Sequence, residues 1–126
     1  MDKKNLRGQM HNSMYHQIQK QGYATSVDVL QDIDILKKED YESWRFGRVP
    51  YLEQVCGGNL HLLSDIIKEM RKYAAKNNLK PSWTCYHGWG RNKQSKLRFS
   101  KSSKESIEQS YATHYITNSM LYSDNV

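Results

Sequence analysis

Apolar side chains recur every three or four residues over most of the first 80 positions, which is the spacing of one face of an α-helix. Met10, Met14 and Ile18 repeat in this way, and Gly22 stands where a glycine commonly ends a helix. The stretch 60–79 carries a wider apolar face, formed by Leu60, Leu63, Ile67, Met70 and Ala74. The pattern predicts a first helix that ends near Gly22 and a central core helix over 60–79.

Three further helices are predicted between these elements, the last of them a short one that begins at Pro50 and ends at Gly57. Thr25 opens a Thr-x-x-Asp sequence, a helix start that buries Val27, Leu30 and Ile33. A helical stretch then runs from Lys38 to Phe46 before Gly47, and Asn59 caps the core helix. The N-terminal half of the chain is therefore expected to be helical.

Beyond Pro81 the pattern becomes that of strands. The segment 83–89 is rich in β-favouring residues, Leu97 and Phe99 alternate with cations, and 88–92 supplies a turn between the two. Ser102 and Glu105 form a capping-box pair for a helix to about 109, and 111–116 is a third predicted strand. Together these elements predict an α+β fold, with the helical N-terminal half packed on a small antiparallel sheet of order β-β-α-β in the C-terminal half.

At 126 residues the chain has the size of one domain, predicted at 1–116, with a C-terminal tail at 117–126. It contains no apolar run as long as a membrane span, and its start lacks the apolar run of a secretory signal, so we expect a cytoplasmic protein with no membrane partner. Cys56 and Cys85 show no CxxC spacing, which favours reduced, buried thiols.

The formal net charge of +6 favours acidic partners, and its distribution is uneven. From Lys80 to Lys104 there are seven cations and no acidic residue, whereas six acidic residues crowd 28–42. Strand alternation would place Lys96, Arg98 and Ser100 on one face of the predicted hairpin. The sequence thus predicts DNA or RNA binding by a basic hairpin face formed by Arg91, Lys93, Lys96, Arg98, Lys101 and Lys104. A solvated charged edge that discourages sheet-to-sheet aggregation is the other interpretation of these residues.

An alternative function is that of a protein-protein adaptor or regulatory module. Trp44, Arg45, Arg48 and Tyr51 are side-chain types enriched at interface hot spots. The same aromatic rings are equally consistent with core positions, with the arginines paired to acids within the chain. Both interpretations stay open from the sequence.

A second alternative is a small metal-independent ribonuclease. His87 and His114 fall on predicted strands, and such chemistry requires a general base, a general acid and a cation at the phosphate. A packed His114 and an exposed His87 near a turn account for the same residues without catalysis. We assign no catalytic residue and expect binding rather than enzymatic activity.

Metal and cofactor sites are not predicted. His11 and His16 are five residues apart on the first predicted helix and miss the i,i+4 spacing that places two ligands on one face. Gly88-Trp89-Gly90 lacks the strand-to-helix context of a phosphate-binding loop.

Four segments resemble an uncharacterised family of small bacterial cytosolic proteins: 44–53, 79–84, 97–102 and 111–115. The resemblance runs from about Met10 to Ile116. It implies a bacterial or phage source and a cytosolic location, and it carries no activity or site residue.

Overall fold

The computed structural model describes residues 3–93 and 95–117 of the chain. In chain order the elements are α1 (Lys3–Gln21), β1 (Tyr23–Thr25), α2 (Ser26–Asp32), α3 (Lys38–Arg45), α4 (Leu60–Lys76), β2 (Lys80–Trp83), α5 (Glu105–Ala112) and β3 (Thr113–Ile116). Short 3-10 helices occupy Leu52–Val55 and Gly90–Asn92. The predicted α+β class is confirmed. Apart from Thr117, the predicted tail lies outside the described residues, and none of the described helices is long and apolar enough to cross a membrane.

The starts of α2 and α4 and the end of α1 follow the residues that the sequence predicts for them. The Thr25 hydroxyl accepts the backbone N–H of Asp28 at 3.1 Å at the start of α2, and the Asn59 side chain accepts the N–H of Leu62 at 2.9 Å at the start of α4. Gly22 follows α1 with a φ of 84°, a conformation in which a side chain would be strained. These local signals therefore set the end of α1 and the starts of α2 and α4.

The predicted capping box of Ser102 and Glu105 is wrong. Helix α5 begins only at Glu105, after Lys104, whose side chain forms no capping hydrogen bond. Ser103 has a φ of 61°, which is not helical, so a helix cannot start directly after Ser102.

The core lies where α1, α2 and α4 meet. Met10, Met14, Leu30, Leu63 and Met70 are among its fully buried side chains. One predicted core position is wrong: Leu60 is 60% exposed, because in the first turn of α4 it borders an open groove between α4 and α5. The helical period identified the apolar face of α4, but not where along that face the packing ends.

The three strands form one antiparallel sheet of order β1-β3-β2. Ala24 on β1 and Tyr115 on β3 pair with each other and are buried. Thr25 and His114, one residue further along, pair with each other and face the opposite side of the sheet. Strand β1 was not predicted, because its three residues are too few to show a strand period.

The predicted strand over 97–99 is absent, so the basic hairpin does not form as a regular ladder. An isolated bridge joins His87 to Lys96, and the N–H of Leu97 reaches the carbonyl of Tyr86 at 2.8 Å. Farther along, side-chain carboxylates satisfy the backbone in place of a partner strand, since Glu108 accepts the N–H of Phe99 at 2.8 Å. Leu97 and Phe99 are buried as predicted.

Ser100 departs from the predicted exposed face, because it is 1% exposed. Its backbone N–H donates to Glu108 at 2.7 Å, and its hydroxyl donates to the same carboxylate. The alternation of faces predicted for 96–100 therefore holds only up to Phe99.

Candidate functional site

Of the six cations predicted to bind nucleic acid, Arg91 lies in the 3-10 helix Gly90–Asn92, and the others lie in irregular backbone or at a helix start. Five of them are exposed and form no ion pair with another described residue: Arg91, Lys93, Lys96, Lys101 and Lys104. Without a carboxylate partner, their charges are available to an acidic ligand.

Arg98 has a different role. It is half-buried, donates from Nε to the carbonyl of Ser100 at 2.8 Å and from Nη2 to the carbonyl of Lys101 at 2.6 Å. Its guanidinium lies 5.1 Å from the centre of the Tyr51 ring. Arg98 thus stabilises the backbone that follows it, and Tyr51 packs beneath it.

Lys96 lies against an exposed aromatic ring. Its Nζ is 5.5 Å from the centre of the Trp83 ring, and Trp83 is 53% exposed at the end of β2. A cation beside an exposed indole face presents charge and a stacking surface together.

A second group of exposed aromatic rings follows α3. Phe46 and Trp89 are 38% and 37% exposed, and their ring centres are 5.4 Å apart. The guanidinium of Arg48 lies 5.1 Å from the Phe46 ring. By contrast, Trp44 is fully buried and donates from Nε1 to a backbone carbonyl, so the core interpretation holds for that residue.

A polar cleft of about 290 Å³ opens on the face of the sheet that Thr25 and His114 share. It is lined by Tyr23, Thr25, Val27, Asp28, Tyr41, Arg45, Thr84, Cys85, Tyr86 and His114. The sheet, α2, α3 and the segment after β2 all contribute to this lining, so tertiary packing assembles the cleft.

Arg45, the last residue of α3, is held in the cleft by aromatic rings. Its guanidinium carbon lies 4.7 Å from the centre of the Tyr86 ring and 5.2 Å from that of Trp89. Nε donates to the Tyr41 hydroxyl at 3.0 Å, and Nη1 donates to the His87 carbonyl at 2.8 Å. Nη2 has no hydrogen-bond partner among the described residues, and it can therefore serve a ligand.

The acidic side of the cleft is Asp28, in the first turn of α2. Its carboxylate is half-buried, and within 3–93 and 95–117 it accepts no hydrogen bond and forms no ion pair, even with Arg45. A carboxylate and a guanidinium thus line one cleft with their polar atoms more than 4.0 Å apart.

His114 and Tyr86 form a hydrogen-bonded pair, with Nε2 and the phenol oxygen 3.1 Å apart. The Tyr23 ring stacks on His114 with ring centres 5.3 Å apart. Burial lowers the pKa of His114, and the nearby Asp28 carboxylate opposes that shift. Burial also raises the pKa of Tyr86, so both groups are neutral near pH 7.

The groups considered for RNA cleavage are only partly brought together. His114 lies in the cleft, whereas the side chain of His87 is exposed and only its carbonyl contacts Arg45. Both cysteines are free, and they are half-buried rather than buried as predicted, since Cys56 lies at the edge of the packed core and Cys85 lines the cleft. No group of three or more His, Cys, Asp or Glu side chains in the described part of the chain is arranged to hold a metal ion.

The sequence analysis missed most of the cleft. Asp28 was interpreted only as a helix-start residue, and Tyr23, Tyr41 and Cys85 were not considered as site residues. The sequence offered one signal for these residues: Asp28 and Arg45 are charged residues on short helices that also carry core side chains. No spacing along the chain connects them.

Comparison of the chain with models of protein families, with curated proteins and with solved structures finds no match. The resemblance to small bacterial proteins therefore stays a prediction.

Proposed function

We propose that this protein binds single-stranded nucleic acid through exposed aromatic rings with cations beside them. The observation that carries the proposal is Trp83, half exposed with the Nζ of Lys96 5.5 Å from its ring centre. Proteins that bind single strands combine cations along the backbone path with rings on which bases stack. Phe46 and Trp89, with Arg48 against the Phe46 ring, offer the same combination.

The unpaired cations of 91–104 supply the electrostatic component. Phosphate binding releases counterions, so affinity falls as salt rises, with a slope of about −0.7 per phosphate contact for single strands. Beyond the 3-10 helix Gly90–Asn92, the described residues of this segment up to Lys104 offer no regular helix or strand to insert into a duplex groove, which favours a single strand over duplex DNA.

Fluorescence anisotropy with labelled single-stranded RNA, single-stranded DNA and duplex DNA tests the proposal. Trp83→Ala should weaken single-strand binding roughly 5- to 150-fold, the range for loss of one stacked base. Lys96→Ala should reduce the salt slope by about 0.7. The matched controls are Tyr15→Ala, an aromatic ring of the same 53% exposure on α1, and Lys20→Ala on the same helix.

Wild-type binding that survives near-physiological salt and depends on Trp83 and Lys96, but not on the α1 controls, supports the proposal. Absence of single-strand binding, or equal losses for the α1 controls, overturns it. The RNA is checked for integrity after each titration, because cleavage would instead support the ribonuclease alternative. A stoichiometric protein partner that survives nuclease treatment would support the adaptor alternative.

A further inference from the structure

The cleft beside this surface presents two kinds of polar group to a ligand. Asp28 offers only acceptor atoms, and Arg45 offers a free donor at Nη2, while the two do not pair with each other. A lone phosphate fits poorly, since the Asp28 carboxylate would repel it. A complementary ligand presents donors to Asp28 and acceptors to Arg45.

The walls of the cleft favour a flat aromatic ligand. Three of its lining residues are tyrosines, Tyr23, Tyr41 and Tyr86, and its volume of about 290 Å³ is at the small end of ligand pockets. Single-stranded nucleic acid offers unstacked bases that proteins bind by ring stacking and by hydrogen bonds to the base edges. One base, rather than a length of strand, matches this volume.

Among the bases, guanine matches both charges best. Its N1–H and N2 amino group lie side by side and can meet both oxygens of one carboxylate, while O6 and N7 are acceptors that arginine binds. Adenine, cytosine and uracil each present only one donor group on that edge.

We propose that the cleft binds one unstacked guanine of a single strand, with Asp28 accepting from N1–H and N2 and Arg45 donating to the acceptor edge. This inference rests on the proposed single-strand binding and adds base selectivity to it. His114 and Tyr86, joined by their hydrogen bond, line the same cleft.

The test uses uridine-rich RNA oligomers of one length with a single central guanine, inosine, adenine or cytosine. The wild type should prefer the guanine oligomer by about tenfold, and inosine, which lacks the N2 amino group, should lose most of that preference. Asp28→Asn should bind all four oligomers alike and keep its affinity for the uridine background. Asp34→Asn is the matched control, because Asp34 is an exposed acid of the same segment at a φ of 63° that asparagine tolerates.

A second readout is alkylation of Cys85, which lines the cleft. The guanine oligomer should slow alkylation of Cys85 in the wild type and leave it unchanged in Asp28→Asn. Free guanosine monophosphate, added to the same assay, distinguishes a strand from a nucleotide as the source of the base. Protection by the nucleotide at concentrations as low as those of the oligomer would overturn the assignment to a strand.

The two proposals fail in different ways. Equal affinity for all four oligomers would overturn the guanine site and leave single-strand binding intact. If no oligomer binds, the proposed function is wrong, and with it the strand-bound guanine.

Discussion

The Glu108 carboxylate on α5 binds Ser100 twice, through the backbone N–H at 2.7 Å and through the side-chain hydroxyl. The other carboxylate oxygen accepts the N–H of Phe99 at 2.8 Å. A single side chain thereby replaces the neighbouring strand that 99–100 would otherwise need. The segment 80–104, which contains no acidic residue, is therefore held in place by a carboxylate from α5.

Loss of this carboxylate should destabilise the fold. Glu108→Ala leaves buried N–H groups without an acceptor, and we expect the free energy of unfolding to fall by about 2–3 kcal/mol. Glu105→Ala on the same helix removes an exposed acid and should cost less than about 1 kcal/mol. Urea unfolding compares the two variants, and equal losses would contradict the role given to Glu108.

The neutral state of His114 predicts a pH-dependent stability. Its pKa in the folded protein lies below the usual 6.5 because of burial, despite the nearby Asp28 carboxylate. At a pH between the folded and the unfolded pKa, the unfolded chain binds more protons at this histidine than the folded chain does. The free energy of unfolding therefore falls as pH drops below about 6.5. Below the folded pKa both states are protonated, and this contribution no longer changes with pH. His114→Gln should remove this component, whereas His16→Gln on the exposed side of α1 should retain it. Urea midpoints from about pH 5 to pH 8 measure both, and parallel curves for wild type and His114→Gln would refute the prediction.

The two thiols should react at different rates. Burial, with the Glu53 and Asp40 carboxylates adding to it, raises the pKa of Cys56 from 9.0 to about 12. The reactive thiolate of Cys56 at pH 8 is then about a thousandfold scarcer than in a thiol of ordinary pKa. Iodoacetamide should modify Cys85 in the folded protein and Cys56 only after unfolding in urea, as read by peptide mass mapping. Rapid labelling of Cys56 in the native protein would contradict the raised pKa of this thiol.

The helices could be predicted because their signals are local. Thr25 and Asn59 cap the helices that follow them, and the three- to four-residue period of 10–18 identifies the buried side of α1. The strands were harder to predict, since β1 has three residues and a strand is defined by its partner as much as by its own sequence.

The residues of the candidate site show the same contrast between what local sequence predicts and what packing decides. Composition alone identified the cations of 91–104, five of which are exposed, whereas Arg98 is half-buried. Arg98 could not be distinguished from its neighbours, because its role depends on carbonyl groups that only the folded loop presents to it.

The sequence by itself determined the starts of α2 and α4, the α+β class and the uneven distribution of charge, because each of these depends on neighbouring residues or on composition. Only the tertiary structure decided that Asp28, Arg45, Tyr86 and His114 line one cleft. These residues lie on α2, on α3, after β2 and on β3, and the antiparallel pairing of Thr25 with His114 links chain positions 89 residues apart. The proximity of these four side chains depends on how the elements pack against one another, and it cannot be predicted from the spacing of the residues along the chain.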